Sequence, residues 1–239
     1  MQKVLMIIPA YNEEASLLDV VADIKKISMP DTIIDYVIIN DGSTDNTREL
    51  CRSNKLSFID LPCNLGIGGA VQTGYKYAYY KDYDIAIQFD GDNQHDATFI
   101  PDLVREINKG NDLVIGSRFV KNLSEFKSSF LRRVGINILS GIIKFCTGVK
   151  VYDVTSGYRA TNKKLIKYFA NKYPTDYPEP DTLVQVLKRK CKVSEIPVKM
   201  RERKAGKSSI NGFKSAYYMI KVTLAIIIAD LSTKGEDLK

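Results

Sequence analysis

The sequence predicts an α/β protein with a mostly parallel central sheet, and three observations support this. Short β-branched and aliphatic runs alternate with longer helical stretches from residue 4 to about residue 117, which is the pattern of βαβ units. Polar residues rich in Asp, Asn and Glu directly follow three of the runs. The chain of 239 residues is 44% hydrophobic, which is enough to bury one large core.

The predicted strands are short apolar runs, and the segments between them have helical spacing. The strands lie at residues 4–8, 36–39, 57–61, 85–89 and 113–115. The helices lie at residues 14–26, 44–54, 68–80 and 98–109. Ser43 or Thr44 is expected to cap the second helix, because a hydroxyl oxygen accepts a hydrogen bond from the free amides of a helix start.

The pattern changes after residue 117. Residues 134–146 predict an apolar helix, residues 153–159 form a polar cluster, and a turn-rich stretch leads into a helix from about 182 to 190. The sequence contains no internal repeat and no low-complexity linker. We therefore predict one domain, residues 1–210, followed by a C-terminal amphipathic helix and tail, residues 211–239.

The positive charge is concentrated late in the chain. The formal net charge is +7, and residues 188–207 contain nine Lys or Arg against two Glu. The sequence contains no RNA-binding aromatic signature, zinc finger or heptad-bearing basic region, which argues against a nucleic acid partner. A phosphate group or an anionic membrane surface is therefore the expected neighbour of this stretch.

The cysteines and the N-terminus both favour a protein of the reducing cytoplasm. The four cysteines include no CxxC pair, so neither a zinc site nor a disulfide framework is predicted. The first apolar run has no small-residue cleavage site and is followed at once by polar residues. It is therefore predicted as a strand and not as a signal peptide.

Two aspartates directly follow the fourth predicted strand. Asp90 and Asp92 stand one residue apart, and two such carboxylates can bind Mg²⁺ or Mn²⁺ from one side, leaving its other positions to water and phosphate oxygens. The alternative is a polar turn, since Asp-Gly is a common turn pair. Residues 9–14 and 40–45 follow the first two strands and are also polar. Because ligands bind beyond the carboxyl ends of the strands in an open parallel sheet, these three segments together predict a nucleotide pocket.

Two glycine motifs look like phosphate-binding signatures but fail on spacing. Residues 66–70 lack the last small residue of the dinucleotide motif, because Val71 stands there. Gly206 and Lys207 lack the first glycine of a P-loop, because Arg201 stands there. Gly68 is still expected to open a helix close to a substrate, with a simple turn as the alternative.

Six motifs together carry a resemblance to a known family. Residues 8–14 (IPAYNEE), residues 40–45 (NDGSTD) and Asp90-Gly91-Asp92, in this order, resemble the family 2 glycosyltransferases of the GT-A fold. The later signatures resemble the polyprenyl-phosphate branch of that family, typified by dolichyl-phosphate mannosyltransferase; they are Gly116-Ser117-Arg118, residues 153–159 and Arg203-x-x-Gly206-x-Ser208. The resemblance extends from residue 4 to about residue 210 and implies a Rossmann-like sheet flanked by helices.

The resemblance implies a role for each matching residue on the donor side. Asp41 would bind the base, and Asp90 and Asp92 would hold Mg²⁺ or Mn²⁺ across the diphosphate of a nucleotide sugar. Gln94 and Arg118 would approach the sugar or the phosphates. The other nucleotide-binding residues are expected to be Pro9, Ala10, Tyr11, Glu13 and Gly68.

The acceptor decides which residues the reaction needs. A polyprenyl phosphate is already ionised near neutral pH, so cations would position it; the candidates are Arg132, Arg133, Arg159, Arg203 and Lys207. A hydroxyl acceptor needs a base, for which Asp153 is the first choice and Glu179 and Asp181 are rivals. Either acceptor would attack the anomeric carbon directly and invert its configuration, as the resemblance also implies.

The leading hypothesis is an inverting transferase that moves a sugar from a UDP- or GDP-sugar to polyprenyl phosphate. The alternative is a soluble transferase that extends a cell-surface polysaccharide through a hydroxyl acceptor. The apolar stretch 222–229 is flanked by Lys221 and Asp230 and is too short to cross a bilayer. It is expected to lie at the inner face of the cell membrane or on a small membrane protein, with packing on its own domain or self-association as alternatives.

Overall fold

The computed structural model describes residues 1–120, 130–201 and 212–233, with 130–132 and 212–218 described by their backbone alone. Within these ranges the chain forms a seven-stranded sheet flanked by helices. The strands are β1 (Gln2–Ala10), β2 (Thr32–Asn40), β3 (Phe58–Asp60), β4 (Ile85–Gln88), β5 (Leu113–Ser117), β6 (Arg159–Asn162) and β7 (Val193–Pro197).

The helices alternate with the strands in the first half of the chain. They are α1 (Leu17–Lys25), α2 (Thr47–Ser53), α3 (Gly66–Tyr80), α4 (Ile100–Asn108), α5 (Phe130–Thr147), α6 (Lys163–Asn171), α7 (Pro178–Lys188) and α8 (Gly212–Ser232). Every strand and helix predicted before residue 117 is present, with shifted ends. The prediction of an α/β protein with a mostly parallel sheet is therefore confirmed.

One strand runs against the others. The strand order is β3-β2-β1-β4-β6-β5-β7, and β6 pairs antiparallel with both of its neighbours. All the other pairs are parallel. Because β6 runs in the opposite direction, the loop that precedes it arrives at the same sheet edge as the carboxyl ends of β4 and β5.

The sequence prediction missed β6, β7 and α6, and each has a local reason. The four residues of β6 are Arg-Ala-Thr-Asn, which do not form an apolar run. β7 is only partly buried along its whole length, so its side chains lack the inside-outside contrast that marks a strand. α6 follows β6 without a linker, and its start is capped by the Asn162 side chain, which accepts from the Leu165 amide at 3.0 Å.

β1 lies in the middle of the sheet and is covered on both faces. Leu5 and Ile7 pack into one core cluster, which also contains residues of α3, α5, α6, α7 and α8. Val4, Met6 and Ile8 pack into a second cluster, under α1 and α4. Successive side chains of a strand point to opposite faces, so a strand with two buried faces reads as one continuous apolar run.

The C-terminal helix α8 belongs to the first of these clusters. Val222, Ile226 and Ala229 are buried in it, and α8 packs against α5 and α7. Lys188 of α7 forms an ion pair with Asp230 of α8 at 2.7 Å. Among the described residues, no helix is both long and apolar enough to cross a membrane.

We predict that Gly74→Ala destabilises the protein. A Cβ at Gly74 would lie 2.2 Å from Cγ2 of the fully buried, β-branched Ile7, so α3 would have to move off β1. Overpacking of this kind costs about 1–3 kcal/mol, which exceeds the gain in helix propensity of about 1 kcal/mol.

Thermal denaturation with Gly141→Ala as the matched control tests this. A Cβ at Gly141, on the exposed side of α5, has no atom within 4 Å, so only the propensity gain remains and its melting temperature should rise. Equal shifts of the two variants would contradict the packing argument.

Candidate active site

A cavity of about 540 Å³ opens at the carboxyl edge of the parallel strands; we call it the sheet-edge cavity. Its lining comes from the ends of β1, β2 and β4, from the start of α3, from the loop before β6 and from the start of α7. The lining residues are Pro9, Ala10, Tyr11, Glu13, Asp41, Asn64, Gly66, Ile67, Ala70, Gln88, Asp90, Gly91, Asp92, Thr155, Gly157 and Glu179. The structure thus brings together most of the predicted donor-side residues.

The loops after β1 and β2 are fastened to each other by short polar side chains. Asn12 has a left-handed backbone (φ 58), and its Oδ1 accepts from the Thr44 amide at 2.8 Å. The Glu13 amide donates to Oγ1 of Thr47 at 3.0 Å. These contacts fix the two strand ends that form one wall of the sheet-edge cavity.

Asp41 joins this wall to the start of α3. The Asp41 amide donates to the Ala10 carbonyl at 2.9 Å, and its Oδ1 accepts from the Leu65 amide at 2.7 Å. The side chain is 4% exposed but lines the cavity. A carboxylate held in this way can accept a hydrogen bond from the base of a nucleotide in the cavity.

Asp90 and Asp92 lie in a tight turn after β4. The Asp92 Oδ1 accepts from the Gln94 amide at 3.0 Å, and Gly91 donates to the Pro9 carbonyl at 3.3 Å. Asn93 completes the turn with a left-handed backbone (φ 62). Both aspartates of the turn line the cavity.

The two carboxylates fit Mg²⁺ or Mn²⁺. Both cations prefer oxygen donors, and Mg²⁺ commonly takes one or two carboxylates and completes its shell with phosphate oxygens and water. The described residues contain no cluster of three or more His, Cys, Asp or Glu side chains that could enclose a metal. Asp90 and Asp92 are thus the residues that could hold such a cation, together with oxygens supplied by a ligand and water.

His95 is buried against the turn and contacts Asp90. Its side chain is 1% exposed, its ring stacks on Tyr158 with centroids 4.7 Å apart, and its Nδ1 accepts from the Asp90 amide at 3.1 Å. Burial lowers the pKa of His95 to about 4, so the ring is neutral near pH 7. The proton then lies on Nε2, which is 3.5 Å from Oδ2 of Asp90.

Asp153 and Arg118 form a buried ion pair. Asp153 is fully buried, and its two oxygens accept from Nε and Nη2 of Arg118 at 2.7 and 2.6 Å and from the Arg118 amide at 2.9 Å. Arg118 also donates to Oγ1 of Thr155 at 3.0 Å. Neither residue lines the sheet-edge cavity. This placement argues against Asp153 as a base and against Arg118 as a direct sugar or phosphate contact.

The hydrogen-bond donors of the buried Arg159 side chain are also paired within the protein. Its guanidinium donates to the carbonyls of Ser156, Glu179 and Val154 at 2.7, 2.7 and 3.1 Å, and the residue is 3% exposed. Its burial and these hydrogen bonds argue against Arg159 as a contact of an acceptor phosphate. It instead ties the loop before β6 to the start of α7.

Other predicted residues lie at or beyond the edge of the site. Gly68 packs against the 174–175 backbone, where a Cβ would lie 2.1 Å from the Pro174 carbonyl oxygen. Gln94 and Asp181 are half-buried and do not line the cavity. Arg133 is exposed, with its guanidinium carbon 5.8 Å from the Phe119 ring centroid. Three predicted cations lie outside the described residues: the side chain of Arg132, and Arg203 and Lys207 entirely.

Three residues were predicted as candidates for the catalytic base, Asp153, Glu179 and Asp181. Of these, Glu179 lines the cavity and the other two do not. It follows Pro178 at the start of α7, where a proline is favoured because the helix leaves that amide unpaired. Burial raises the pKa of Glu179, and the nearby Asp90 adds to the rise, while Arg159 and a hydrogen bond from Gln88 oppose it. The carboxyl group is therefore poised to hold or take a proton inside the cavity.

Eight of the lining residues were not predicted as site residues, and one of them, Gly91, lies between the predicted Asp90 and Asp92. Asn64, Gly66, Ile67 and Ala70 follow β3, so the same strand-end rule would have found them had it been applied there. Gln88 is a polar residue inside an apolar run, which is also a visible signal. Thr155 and Gly157 reach the cavity only because β6 is antiparallel.

The fold and the cavity define an α/β protein with a cavity at the ends of its parallel strands, between the joined loops after β1 and β2 and the side chains of Asp90 and Asp92. Residues 6–169 match the model of the family described as glycosyl transferase family 2. The chain belongs to this family, as its motifs predicted.

The names of two similar proteins refer to dolichyl phosphate or to a polyprenol phosphate sugar. The chain is 31% identical to UDP-N-acetylglucosamine–dolichyl-phosphate N-acetylglucosaminyltransferase of Methanococcus voltae, over 93% of this chain and 97% of that protein. It is 25% identical to polyprenol monophosphomannose synthase of Mycolicibacterium smegmatis, over 92% of this chain and 86% of that protein. These matches agree with the polyprenyl-phosphate branch that the motifs indicate.

A solved structure with the same fold is glucosyl-3-phosphoglycerate synthase from Mycobacterium tuberculosis, in complex with Mn²⁺, uridine diphosphate and phosphoglyceric acid. It is 18% identical, with a TM-score of 0.67, and the match covers 98% of this chain and 80% of that one. The likeness confirms the fold.

We predict that Asp153→Asn destabilises the protein by roughly 3 kcal/mol, because removing one partner leaves the Arg118 charge buried without compensation. Urea denaturation measures the loss. Asp82→Asn is the matched control, since Asp82 forms an exposed ion pair with Lys163 and should change stability little. A stable, fully folded Asp153→Asn protein that has lost only turnover would restore Asp153 as a catalytic base.

Proposed function

We propose that this protein transfers a sugar from a UDP- or GDP-sugar to polyprenyl phosphate at a membrane surface. The observation that carries the proposal is the sheet-edge cavity, in which Asp90 and Asp92 face the wall formed by the ends of β1 and β2. Its volume of about 540 Å³ lies within the usual range for small-molecule sites. The acceptor class is supported by the names of the relatives.

The donor would lie across the cavity with its nucleoside against Tyr11 and Asp41. Asp90 and Asp92 would hold Mg²⁺ or Mn²⁺ against the diphosphate, and the ion would neutralise the charge that develops on the leaving nucleoside diphosphate. The sugar would then face Gln88, Gly157 and Glu179 at the far side of the cavity.

The reaction would be a single displacement. An oxygen of the acceptor forms a bond to the anomeric carbon while the bond from that carbon to the diphosphate oxygen breaks, and the electron pair leaves with the nucleoside diphosphate. A direct attack inverts the anomeric configuration and needs no covalent enzyme intermediate.

The acceptor phosphate would be positioned by cations. Arg133 is exposed in α5, while Arg203, Lys207 and the side chain of Arg132 belong to the undescribed part of the chain. A phosphate oxygen needs no base, so Glu179 would hydrogen-bond the sugar. A hydroxyl acceptor would instead give its proton to Glu179, whose raised pKa suits that role.

Two helices carry exposed apolar stripes that suit a lipid surface. On α8 the stripe is Ile220, Leu224, Ile227, Ile228 and Leu231, opposite the buried face of the helix. Its length of about 16 Å is too short to span a bilayer. On α5 the stripe is Val134, Ile138 and Phe145, with Phe145 92% exposed. We place these stripes at the inner face of the cell membrane, where the polyprenyl phosphate would be reached.

We predict that Asp92→Asn lowers transfer at least about 100-fold, because the cation loses a charged ligand. The assay follows labelled UDP- and GDP-sugars into polyprenyl phosphate with Mn²⁺ present. Asp102→Asn, which alters an exposed ion pair on α4, should keep wild-type transfer. Normal turnover in folded Asp92→Asn protein would contradict the metal assignment, and product formed only on a glycan would favour the hydroxyl acceptor.

We also predict that the paired change Ile228→Glu and Leu231→Glu lowers recovery on anionic vesicles at least about fivefold, because it places charge on the apolar stripe. Co-sedimentation with phosphatidylglycerol vesicles measures this. Tyr80→Glu, at a 79% exposed position on α3, is the matched control and should bind like the wild type. Unchanged recovery of the paired variant would remove α8 from the proposed membrane contact.

A further inference from the structure

Gln88 is a buried amide in the middle of the sheet. It is the last residue of β4, between Ile87 and Phe89, and it is 1% exposed. It stands opposite Arg159 in the register of β4 and β6. It is also part of the lining of the sheet-edge cavity.

The amide nitrogen of Gln88 lies between two acidic side chains. Its Nε2 donates to Oδ1 of Asp90 at 3.3 Å, and the same side chain hydrogen-bonds Glu179 and lowers its pKa against the effect of burial. Ionised carboxylates only accept hydrogen bonds, so the NH₂ group must face them. One NH₂ group can thus serve both carboxylates, one with each hydrogen.

This orientation leaves the other end of the amide without a partner. Among the described residues, none donates a hydrogen bond to Oε1 of Gln88, and the atom is buried. An orphaned buried acceptor destabilises a fold, and an apolar side chain of the same length would avoid that cost. We therefore expect the amide to serve the function of the cavity and not the stability of the core.

The loop before β6 leaves room for the amide. A Cβ at Gly157 would lie 2.8 Å from Nε2 of Gln88 and 3.2 Å from Oδ2 of Asp90. Any side chain at Gly157 would push the amide away from the two carboxylates. The loop that carries Gly157 and the strand β4 thus both fix the position of the Gln88 side chain.

We propose that Gln88 is a positioning residue that acts through Glu179. Its NH₂ group bridges Glu179 to Asp90 and so holds the Glu179 carboxyl group beside the reacting sugar, at a fixed distance from the metal-binding side of the cavity. The inference rests on the proposed function, because it assigns the far side of the cavity to the sugar of the donor.

A double-mutant cycle tests this, with Gln88→Met, Glu179→Gln and both changes together. Transfer from the best UDP- or GDP-sugar to polyprenyl phosphate is measured in the full-length chain. We expect Gln88→Met to lower kcat about tenfold or more and to change the donor KM by less than about threefold. In the Glu179→Gln background, Gln88→Met should cost less than about threefold, because the residue it acts through is already altered.

Stability provides an independent readout. Gln88→Met should melt at the same temperature as the wild type or higher, since it removes the orphaned oxygen. Gln72→Met is the matched control. Gln72 is half-buried on α3 outside the cavity, with Nε2 3.5 Å from the Ala170 carbonyl oxygen, and its replacement should leave kcat unchanged.

Three results would overturn the inference: a kcat of Gln88→Met equal to that of the wild type, an equal loss in both backgrounds of the cycle, or a lower melting temperature with kcat and KM changed together. If Gln88→Met does not fold, Gln88→Leu enters the same cycle. A wild-type chain that transfers sugar from none of the UDP- or GDP-sugars would refute the proposed function itself, and this result is recognised before any variant is measured.

Discussion

The assembly of the site depends on the hydrogen bonds that the Arg159 guanidinium donates. It donates to carbonyls of residues 154 and 156 in the loop before β6 and to the Glu179 carbonyl at the start of α7. One buried cation thereby fixes two segments that are distant from β1 and β4 along the chain. It thereby ties the segment that carries Thr155 and Gly157 to the segment that carries Glu179. Its charge also opposes the rise in the pKa of the Glu179 carboxyl group.

The site is built from acidic groups held close together, and their mutual repulsion must be balanced. Asp90 and Glu179 both hydrogen-bond to the Gln88 side chain, and Asp90 contributes to the raised pKa of Glu179. Arg159 supplies a compensating positive charge. Arg118 and Asp153 balance each other in a separate buried pair. The Arg118 and Asp153 charges thus neutralise each other away from the cavity, while Asp90, Asp92 and Glu179 line it.

The regular parts of the fold were predictable because their signals are local. The residues of β1 predict a strand by themselves. Both faces of β1 are buried, so the strand appears in the sequence as one continuous apolar run. The placement of Asp90 and Asp92 followed from the rule that ligands bind at the carboxyl ends of parallel strands. β6 gave no such signal, because four residues with an arginine and an asparagine do not form an apolar run. Arg159 and Asp153 were predicted in direct roles because a sequence shows a charged side chain but not the partner that neutralises it.

By itself, the sequence determined the α/β class, the donor-side motifs and membership of glycosyl transferase family 2, since each depends on residues near one another in the chain. Only the tertiary structure decided which charged residues face the cavity. The antiparallel entry of β6 brings Gly157 beside Gln88, and the start of α7 brings Glu179 there, whereas Asp153 is turned into a buried pair with Arg118. These choices depend on contacts between residues 35 to 91 positions apart. The free energy of burying a charge is set by such contacts and not by local sequence.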